Sequence, residues 1–119
     1  MKLPGPDHPI TIVPNLRRVR VTFAGRTIAD SKRALTLTEG GYKPVFYIPR
    51  EDADMSLLER TAHTSHCPYK GDASYYSIAV DGRRSENAVW SYEQPYPAVK
   101  DIASHLAFYP GRVDTIEES

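Results

Sequence analysis

The strongest local signal in the sequence is the dipeptide Asp81-Gly82, which separates two segments of alternating polar and apolar residues. Both residues suit a tight turn, because they tolerate the left-handed backbone that a two-residue hairpin loop requires. We therefore predict a β-hairpin with strands over residues 74–80 and 85–92.

Strand alternation assigns the side chains of this hairpin to two faces, because odd positions on the first strand pair with even positions on the second. One face is an ordinary core with one polar residue, and comprises Tyr76, Ile78, Val80, Asn87 and Val89. The other face has three large rings and a carboxylate, and comprises Tyr75, Ser77, Glu86, Ala88, Trp90 and Tyr92. Rings with polar tips often line pockets, so this second face is the candidate binding surface. A bulge in the hairpin would change the assignment.

Short strands also dominate the rest of the chain. Alternation from residue 17 to 23, a turn at Gly25, a return strand over 27–29 and a third segment at 35–37 predict a meander. Residues 44–49 predict a short buried strand between two prolines. We expect Asp54 to cap one or two helical turns, residues 98–106 to form an amphipathic helix, and residues 112–116 to form an edge strand.

Length and proline content define the expected domain organisation. The 119 residues suit one domain, since domains commonly have about 100 to 150 residues. Four prolines within the first fifteen residues remove backbone donors and favour extended conformations. We expect an irregular, proline-rich lead-in over residues 1–15 and a single mainly-β domain over residues 16–119.

The charges balance overall but not along the chain. Fifteen basic and fifteen acidic side chains give a net charge of zero, which excludes a general nucleic-acid binder because backbone binding needs a basic excess. Nine basic and three acidic residues lie in residues 1–50, against six and twelve in residues 51–119. This division favours complementary surfaces in contact, and the alternative is a basic face left exposed for an acidic ligand.

The single cysteine and the absence of long apolar runs indicate the compartment. One cysteine cannot form a disulfide within the chain, so a reducing environment is expected. No segment approaches the ~18 apolar residues of a membrane helix, and the first residues lack the apolar core of a signal peptide. We expect a cytoplasmic protein without a membrane partner.

Reactive side chains are concentrated in residues 61–72, which show neither helical nor strand periodicity and are expected to form a loop. Cys67 lies beside His66 and three residues before Lys70, and a neighbouring cation favours the nucleophilic thiolate. The alternative is that Cys67 packs as a small buried hydrophobe. His63, His66 and Cys67 are residue types that bind zinc, but no fourth ligand is evident and we expect no metal.

Two basic residues are candidates for binding an anionic ligand. Arg50 offers a planar guanidinium and Lys70 a point charge. The alternative for each is an ion pair with a nearby carboxylate, for which the candidates are Glu51, Asp52, Asp72 and Glu86. Glu86 and Asn87 either orient a ligand by hydrogen bonds or complete a turn or bulge.

Six motifs occur in order between residues 16 and 114. They are Ile28-Ala-Asp-Ser with Arg33-Ala-Leu, Pro44-Val-Phe-Tyr-Ile-Pro-Arg-Glu-Asp, Thr64-Ser-His-Cys-Pro-Tyr-Lys-Gly, Tyr75-Tyr-Ser, Glu86-Asn-Ala-Val-Trp, and Ala107-Phe-Tyr with Val113-Asp. Together they resemble the bacterial family known as domain of unknown function 427. The resemblance implies a mainly-β fold similar to the Mss4-like or β-tent folds, in which two antiparallel sheets with one or two short helices meet around a site. Proteins of that shape commonly hold zinc through two Cys-x-x-Cys pairs, which this chain lacks, so we expect no cofactor.

The same family carries a nucleotidyltransferase label. Such enzymes need paired carboxylates to hold a divalent metal against phosphate oxygens, and Asp52 and Asp54 follow Gly40-Gly41 in a pattern of that kind. The preferred interpretation is that both acids lie at the start of a helix, where they interact favourably with its dipole.

Three functional hypotheses result. The leading one is a domain that binds a small, anionic ligand in an aromatic-lined pocket near Cys67 and Lys70. The alternatives are a nucleotidyltransferase that uses Asp52 and Asp54, and a non-catalytic interaction module with an arginine-rich sheet face. The candidate ligand-binding residues are Arg50, Cys67, Lys70, Tyr75, Glu86, Asn87 and Trp90, with Cys67 as the candidate catalytic residue.

Overall fold

The computed structural model describes all 119 residues and confirms a mainly-β fold. Its helical segments are 3-10 turns of three to six residues, at Arg50–Asp52, Met55–Leu57, Pro97–Ile102 and Pro110–Arg112. None of them is long and apolar enough to cross a membrane. The strands are β1 (Ile10–Pro14), β2 (Val19–Phe23), β3 (Arg26–Ser31), β4 (Leu35–Glu39), β5 (Val45–Tyr47), β6 (Leu58–Cys67), β7 (Gly71–Val80), β8 (Arg83–Ser91), β9 (Ala107–Phe108) and β10 (Thr115–Glu118).

The strands form three antiparallel sheets rather than two. The central sheet has the order β6-β7-β8-β9, and the smaller sheets have the orders β10-β2-β3 and β1-β4-β5. The expected meander stops after the β2–β3 hairpin, whose turn uses Ala24 and Gly25 with positive φ. Strand β4 leaves this hairpin and pairs with β1 and β5 instead.

The lead-in expected over residues 1–15 is not irregular throughout, because residues 10–14 form the edge strand β1. Ile10 lies opposite Glu39, and Pro14 lies opposite Leu35 at the other end of the ladder. A proline at the end of an edge strand removes no central ladder hydrogen bond. Ile10 and Ile12 pack against a buried cluster, and this tertiary contact holds the segment in strand conformation.

The β7–β8 hairpin forms as predicted. Asp81 and Gly82 have φ of 47° and 82°, and Val80 lies directly opposite Arg83. Two residues with positive φ give the turn a twist that matches the twist of the flanking strands. Strand β7 pairs with β8 on one side and with β6 on the other, and these are the longest pairings in the central sheet.

A bulge interrupts this hairpin near Asn87. The register shifts between Tyr76 and Ile78, and Asn87 adopts a φ of 48°. The backbone N–H of Asn87, which has lost its ladder partner, donates to the Ser77 hydroxyl at 3.0 Å. The bulge changes the predicted faces as expected for such a feature: Ala88 joins the cluster of Tyr76, while Glu86 points away from both clusters.

The central sheet buries side chains on both faces. Tyr76, Ile78, Val80 and Val89 belong to a cluster of 16 buried residues shared with β2 and β3, as the alternation predicts. Tyr75 and Tyr92 belong to a second cluster of eight, shared with β4, β5 and the 97–102 segment. Burial on both faces explains why each small sheet lies over one side of the central one.

Two segments differ from their sequence-based prediction. Residues 61–67 are not a loop but the second half of β6, and the register shift between Arg60 and Thr64 explains why no period is visible there. Residues 98–106 do not form one amphipathic helix. They form 3-10 turns with non-helical backbone at Val99, followed by Ser104 with positive φ. The predicted inward residues Val99 and Ile102 are nevertheless fully buried.

Two shorter predictions are confirmed and a third in part. Residues 45–47 form a strand between the two prolines. A terminal edge strand pairs with β2, but it is β10 at Thr115–Glu118 rather than residues 112–116, because Arg112 ends a 3-10 turn. Asp54 caps the turn at Met55–Leu57, since its carboxylate accepts the backbone N–H of Ser56 at 3.1 Å.

The positive φ of Gly82 leads to a testable prediction for the stability of the hairpin. We expect Gly82→Ala to lower the free energy of unfolding by about 1–2 kcal/mol, because an L side chain is strained in this conformation. A Cβ there would meet nothing within 4 Å, so the loss reports backbone conformation alone. Urea titration measures it. Gly111→Ala is the control, since it also lies in open space but has no positive φ. Equal losses in the two variants would contradict the prediction.

Candidate functional site

A cavity of about 190 Å³ lies between the β1-β4-β5 sheet and the central sheet. Most of its wall is aromatic. Five rings surround it, contributed by β5, β7, β8 and the residues that follow β8 and β9: Tyr47, Tyr75, Trp90, Tyr92 and Tyr109. Of the aromatic face predicted from strand alternation, the three rings Tyr75, Trp90 and Tyr92 therefore line this cavity, whereas Ser77, Glu86 and Ala88 do not.

An ion pair lies at one side of the cavity. Lys70 Nζ donates to Glu39 Oε1 at 2.5 Å, and His8 Nε2 lies 2.6 Å from the other carboxylate oxygen. The side chains of Lys70 and Glu39 are only 11% and 17% exposed. The pair closes the gap between the central sheet and the end of β4, and the His8 ring stacks on Tyr69 with centroids 3.8 Å apart.

The pKa of Glu39 reflects two opposing effects. Burial raises the pKa of the carboxyl, but hydrogen bonds from Lys70 and His8 outweigh it and hold the pKa below its usual value. Glu39 is therefore ionised at neutral pH. A buried charge of this kind is tolerated when an opposite charge and hydrogen bonds accompany it.

Hydrogen bonds fix most of the rings. Trp90 Nε1 donates to the Tyr47 hydroxyl at 3.2 Å, and Trp90 packs on Tyr109 with centroids 4.4 Å apart. The Tyr75 hydroxyl lies 2.9 Å from Ser65 Oγ and 3.3 Å from the Tyr109 hydroxyl. These contacts hold the wall in one arrangement.

The Tyr92 hydroxyl is different, because it has no hydrogen-bond partner within the chain. Tyr92 is 6% exposed and lines the cavity, and Lys70 Nζ lies 5.9 Å from its ring centroid. Burial raises the pKa of both Tyr92 and Tyr47. Burial, followed by the hydrogen bond with Tyr75, raises the pKa of Tyr109 to about 12. All three hydroxyls therefore carry their protons at neutral pH.

Two exposed residues of the β4–β5 connection form the rim of the cavity. Tyr42 is 73% exposed, and Lys43 is exposed and forms no ion pair. They follow Gly40, whose positive φ of 52° ends strand β4 and turns the chain across the opening. The rim therefore contributes one unpaired positive charge.

Three of the seven predicted ligand-binding residues line this cavity, namely Lys70, Tyr75 and Trp90. Lys70 pairs with Glu39 rather than with any of the four acids that the sequence suggested. Cys67 is half-buried and packs against the same aromatic cluster, as a small hydrophobe does.

The other three predicted residues lie elsewhere. Arg50 donates to the Tyr76 hydroxyl at 2.8 Å on the opposite side of the central sheet. Glu86 is largely exposed and bonds Arg84, which holds its pKa below the usual range. Asn87 accepts from Thr61 at 2.7 Å within the bulge. The structure therefore does not bring these three side chains to the cavity.

Glu39, Lys43 and Tyr109 are cavity residues that sequence reasoning missed. Glu39 is 31 residues from Lys70, and no local pattern connects them. Tyr109 belongs to the Ala107-Phe-Tyr motif, but the motif does not indicate that its ring lines the cavity. The resemblance motifs are the only sequence signal that marks it.

The remaining candidates form separate contacts. Asp52 accepts from Ser31 and Arg33, and these hydrogen bonds keep its pKa low, with that from Arg33 the largest cause. Asp54 serves as the cap described above. His63 packs on the Tyr75 ring, and His66 pairs with Asp72. No group of three or more His, Cys, Asp or Glu side chains in the chain is arranged to hold a metal ion.

The largest concavity of the molecule is a different one. It measures about 460 Å³, is open to solvent and is polar, and it is lined by Gly71, Asp72, Ser74, Glu93, Gln94 and Tyr96. Its two carboxylates already have partners, since Asp72 pairs with His66 and Glu93 with Arg60. The smaller aromatic cavity is the better candidate, because its wall is mostly apolar and aromatic and includes a Tyr92 hydroxyl without a partner in the chain.

The structure is a small, mainly antiparallel-β domain with an aromatic-walled cavity. The family model for the Domain of unknown function (DUF427) matches residues 11–119, and the chain belongs to that family. The short label of that model refers to nucleotidyl transfer, which is a name and assigns no activity to this chain. Among curated proteins, no match to the chain is found.

The lowered pKa of Glu39 predicts a pH-dependent contribution to stability. A carboxyl with a lower pKa in the folded state stabilises the fold above its unfolded pKa, near 4.5, and loses this contribution as pH falls through the folded value. We expect Glu39→Gln to lower the free energy of unfolding by about 1–3 kcal/mol at pH 7. The difference from wild type should shrink below about pH 4.5, as measured by urea unfolding at several pH values.

The control for this prediction is Glu51→Gln, at an exposed glutamate that contacts only Arg33, at 3.5 Å. It should change stability little at any pH. A Glu39→Gln deficit that persists unchanged at pH 3 would contradict the assigned role.

Proposed function

We propose that this protein binds a small organic molecule with an anionic group in the cavity between the β1-β4-β5 sheet and the central sheet. The observation that carries the proposal is Tyr92, which lines the cavity and whose protonated hydroxyl has no partner in the chain. A ligand acceptor at this position would replace water as the partner of the hydroxyl, and a hydrogen bond of this kind contributes roughly 0.5–1.5 kcal/mol.

The charges around the cavity favour an anion. Lys70 has three ammonium donors, of which one goes to Glu39, so two are left for a ligand. Lys43 adds an unpaired positive charge at the rim. Glu39 and Lys70 offset each other, so the three charged groups leave a net charge of +1 for a negative ligand to meet.

The walls favour a flat or apolar body for the same molecule. The rings of Tyr75, Trp90 and Tyr92 line the cavity, and Leu37 and Val45 add aliphatic surface. The volume of about 190 Å³ corresponds to roughly six water-sized groups at ~30 Å³ each. The proposal is therefore for a ligand smaller than a typical drug-sized molecule.

Three aromatic probes of similar size and different charge test this function: benzoate, phenol and benzylamine. Trp90 is the only tryptophan in the chain, so its fluorescence reports binding at the cavity directly. We expect saturable changes with benzoate and phenol, with benzoate binding about tenfold more tightly than benzylamine, which corresponds to ~1.4 kcal/mol. No saturable change with any of the three probes at millimolar concentration would contradict the proposal.

Two variants locate the binding. Tyr92→Phe removes only the hydroxyl and should weaken benzoate binding about fivefold, which corresponds to a hydrogen bond worth ~1 kcal/mol. Lys43→Gln removes the positive charge at the rim, so it should reduce the ratio of the benzoate affinity to the phenol affinity. The matched controls are Tyr96→Phe and Lys32→Gln, at residues that lie outside the cavity, and both should bind as wild type does. Equal effects of variants and controls would place any binding elsewhere.

A further inference from the structure

A proline-rich segment, residues 1–9, contacts the charged side of the aromatic cavity. Both ends of the segment are anchored by backbone hydrogen bonds. The N–H of Lys2 donates to Pro68 O at 2.8 Å, and the N–H of Gly40 donates to Pro9 O at 2.9 Å. The segment therefore connects the turn before β7 to the end of β4, the two places from which the ion pair of the cavity extends.

His8 is the residue of this segment that reaches that ion pair. Its Nε2 atom lies 2.6 Å from Glu39 Oε2, while Lys70 Nζ donates to Oε1 of the same carboxylate. The His8 ring stacks on Tyr69 with the two planes 3° apart, so its position is fixed. Lys70 and Glu39 line the cavity and His8 does not. A single carboxylate group therefore separates His8 from the cation on the cavity wall.

The surroundings of His8 allow its charge to change. The side chain is 28% exposed, so it exchanges protons with solvent. The groups that face it are the Glu39 carboxylate from β4 and, from the turn before β7, the Tyr69 ring and the Lys70 ammonium that shares the carboxylate. Its neighbour Asp7 is the one carboxylate among residues 1–9 and is exposed. Histidine is the side chain that changes charge between about pH 5 and 8.

Protonation of His8 changes the charge that a ligand in the cavity meets. With neutral His8, the two lysines and Glu39 leave a net charge of +1, and with protonated His8 the net charge is +2. Glu39 stays ionised over this range, because hydrogen bonds hold its pKa below the usual value. Either form of the imidazole can donate to the carboxylate. An anion is therefore attracted more strongly to the protonated state, whereas a neutral ligand gains nothing.

We infer, on the basis of the proposed function, that protonation of His8 regulates the site: the anionic ligand binds more tightly near pH 5.5 than near pH 8. His8 acts through Glu39 and does not touch the ligand, so it is a positioning residue. By linkage, the bound anion holds the proton on His8 to the same extent that the proton strengthens binding of the anion. The segment that carries His8 thus couples the acidity of the solution to the loading of the cavity.

The unaltered protein tests this regulation with one charged and one neutral probe. Trp90 fluorescence and calorimetry measure the affinities of benzoate and phenol at pH 5.5 and at pH 8. Benzoate is ionised and phenol is neutral at both values, so neither probe changes its own charge. We expect benzoate to bind about fivefold more tightly at pH 5.5 and phenol to bind equally at both values.

Proton NMR of the His8 ring gives a second readout, which a purely structural role would not move. Saturating benzoate should raise the midpoint pH of the His8 titration by about 0.7, since a fivefold affinity ratio must appear equally in proton binding. Phenol should leave the midpoint where it is in the free protein. The His8 signal is identified by its absence from the spectrum of His8→Gln.

Two variants separate His8 from the other histidine that contacts the cavity wall. His8→Gln keeps a side-chain donor for Glu39 but carries no charge. It should bind benzoate with one affinity at both pH values, and phenol as wild type does. His63→Gln is the matched control, because His63 packs on the Tyr75 ring with centroids 4.4 Å apart. The pH dependence should survive in this control.

Each outcome supports or overturns the regulation. Benzoate binding of equal strength at both pH values would overturn it and leave the proposed function standing. No binding of either probe at either pH would overturn both. A pH dependence that persists in His8→Gln, with phenol binding intact as evidence of folding, would overturn it as well. Loss of the pH dependence in His63→Gln alone would assign the titration to His63 and equally overturn the role of His8.

Discussion

The structure depends on a central sheet that must be covered on both faces. Alternation along β7 and β8 places large apolar side chains on each side, with Tyr76, Ile78 and Val89 on one side and Tyr75 and Tyr92 on the other. Leaving either face in water would forfeit the hydrophobic contribution of these side chains, about 25 cal/mol per Å². The two small sheets therefore take opposite sides, and the cavity forms where the β1-β4-β5 sheet does not close completely on the central one.

Polar groups surround this incomplete closure and hold its wall together. The Lys70–Glu39 pair is held at one side by His8 and by the tight turn before β7, where Lys70 N–H bonds to Cys67 O at 3.3 Å. Hydroxyls of Tyr47, Tyr75 and Tyr109 are tied into hydrogen bonds, so their rings keep fixed positions. The Tyr92 hydroxyl and Lys43 are then the polar groups of the cavity that have no partner in the chain, and the proposed ligand would bind to them.

Sequence reasoning succeeded for features that depend on adjacent residues. The Asp81-Gly82 turn, the Asp54 cap and the two faces of β7 all follow from local conformational preference or from the period of a strand. It failed where a bulge broke the period. The register shift near Asn87 moves Glu86 out of the aromatic face. The register shift after Arg60 removes the alternation from the end of β6, which was therefore predicted to be a loop. The expected pairing of the basic first half with the acidic second half occurs at Arg33 with Asp52, whereas Arg18, Arg60 and Arg84 pair within their own halves.

The sequence alone therefore determined a mainly-β chain, the central hairpin and an aromatic face that carries Tyr75, Trp90 and Tyr92. Tertiary structure decided which sheet β4 joins, and with it that Glu39 meets Lys70 and that Tyr109 completes the wall around Trp90. The physical reason is the distance along the chain over which each kind of interaction acts. Turn and strand preferences act between neighbours along the chain, whereas an ion pair spanning 31 residues exists only after the sheets have packed.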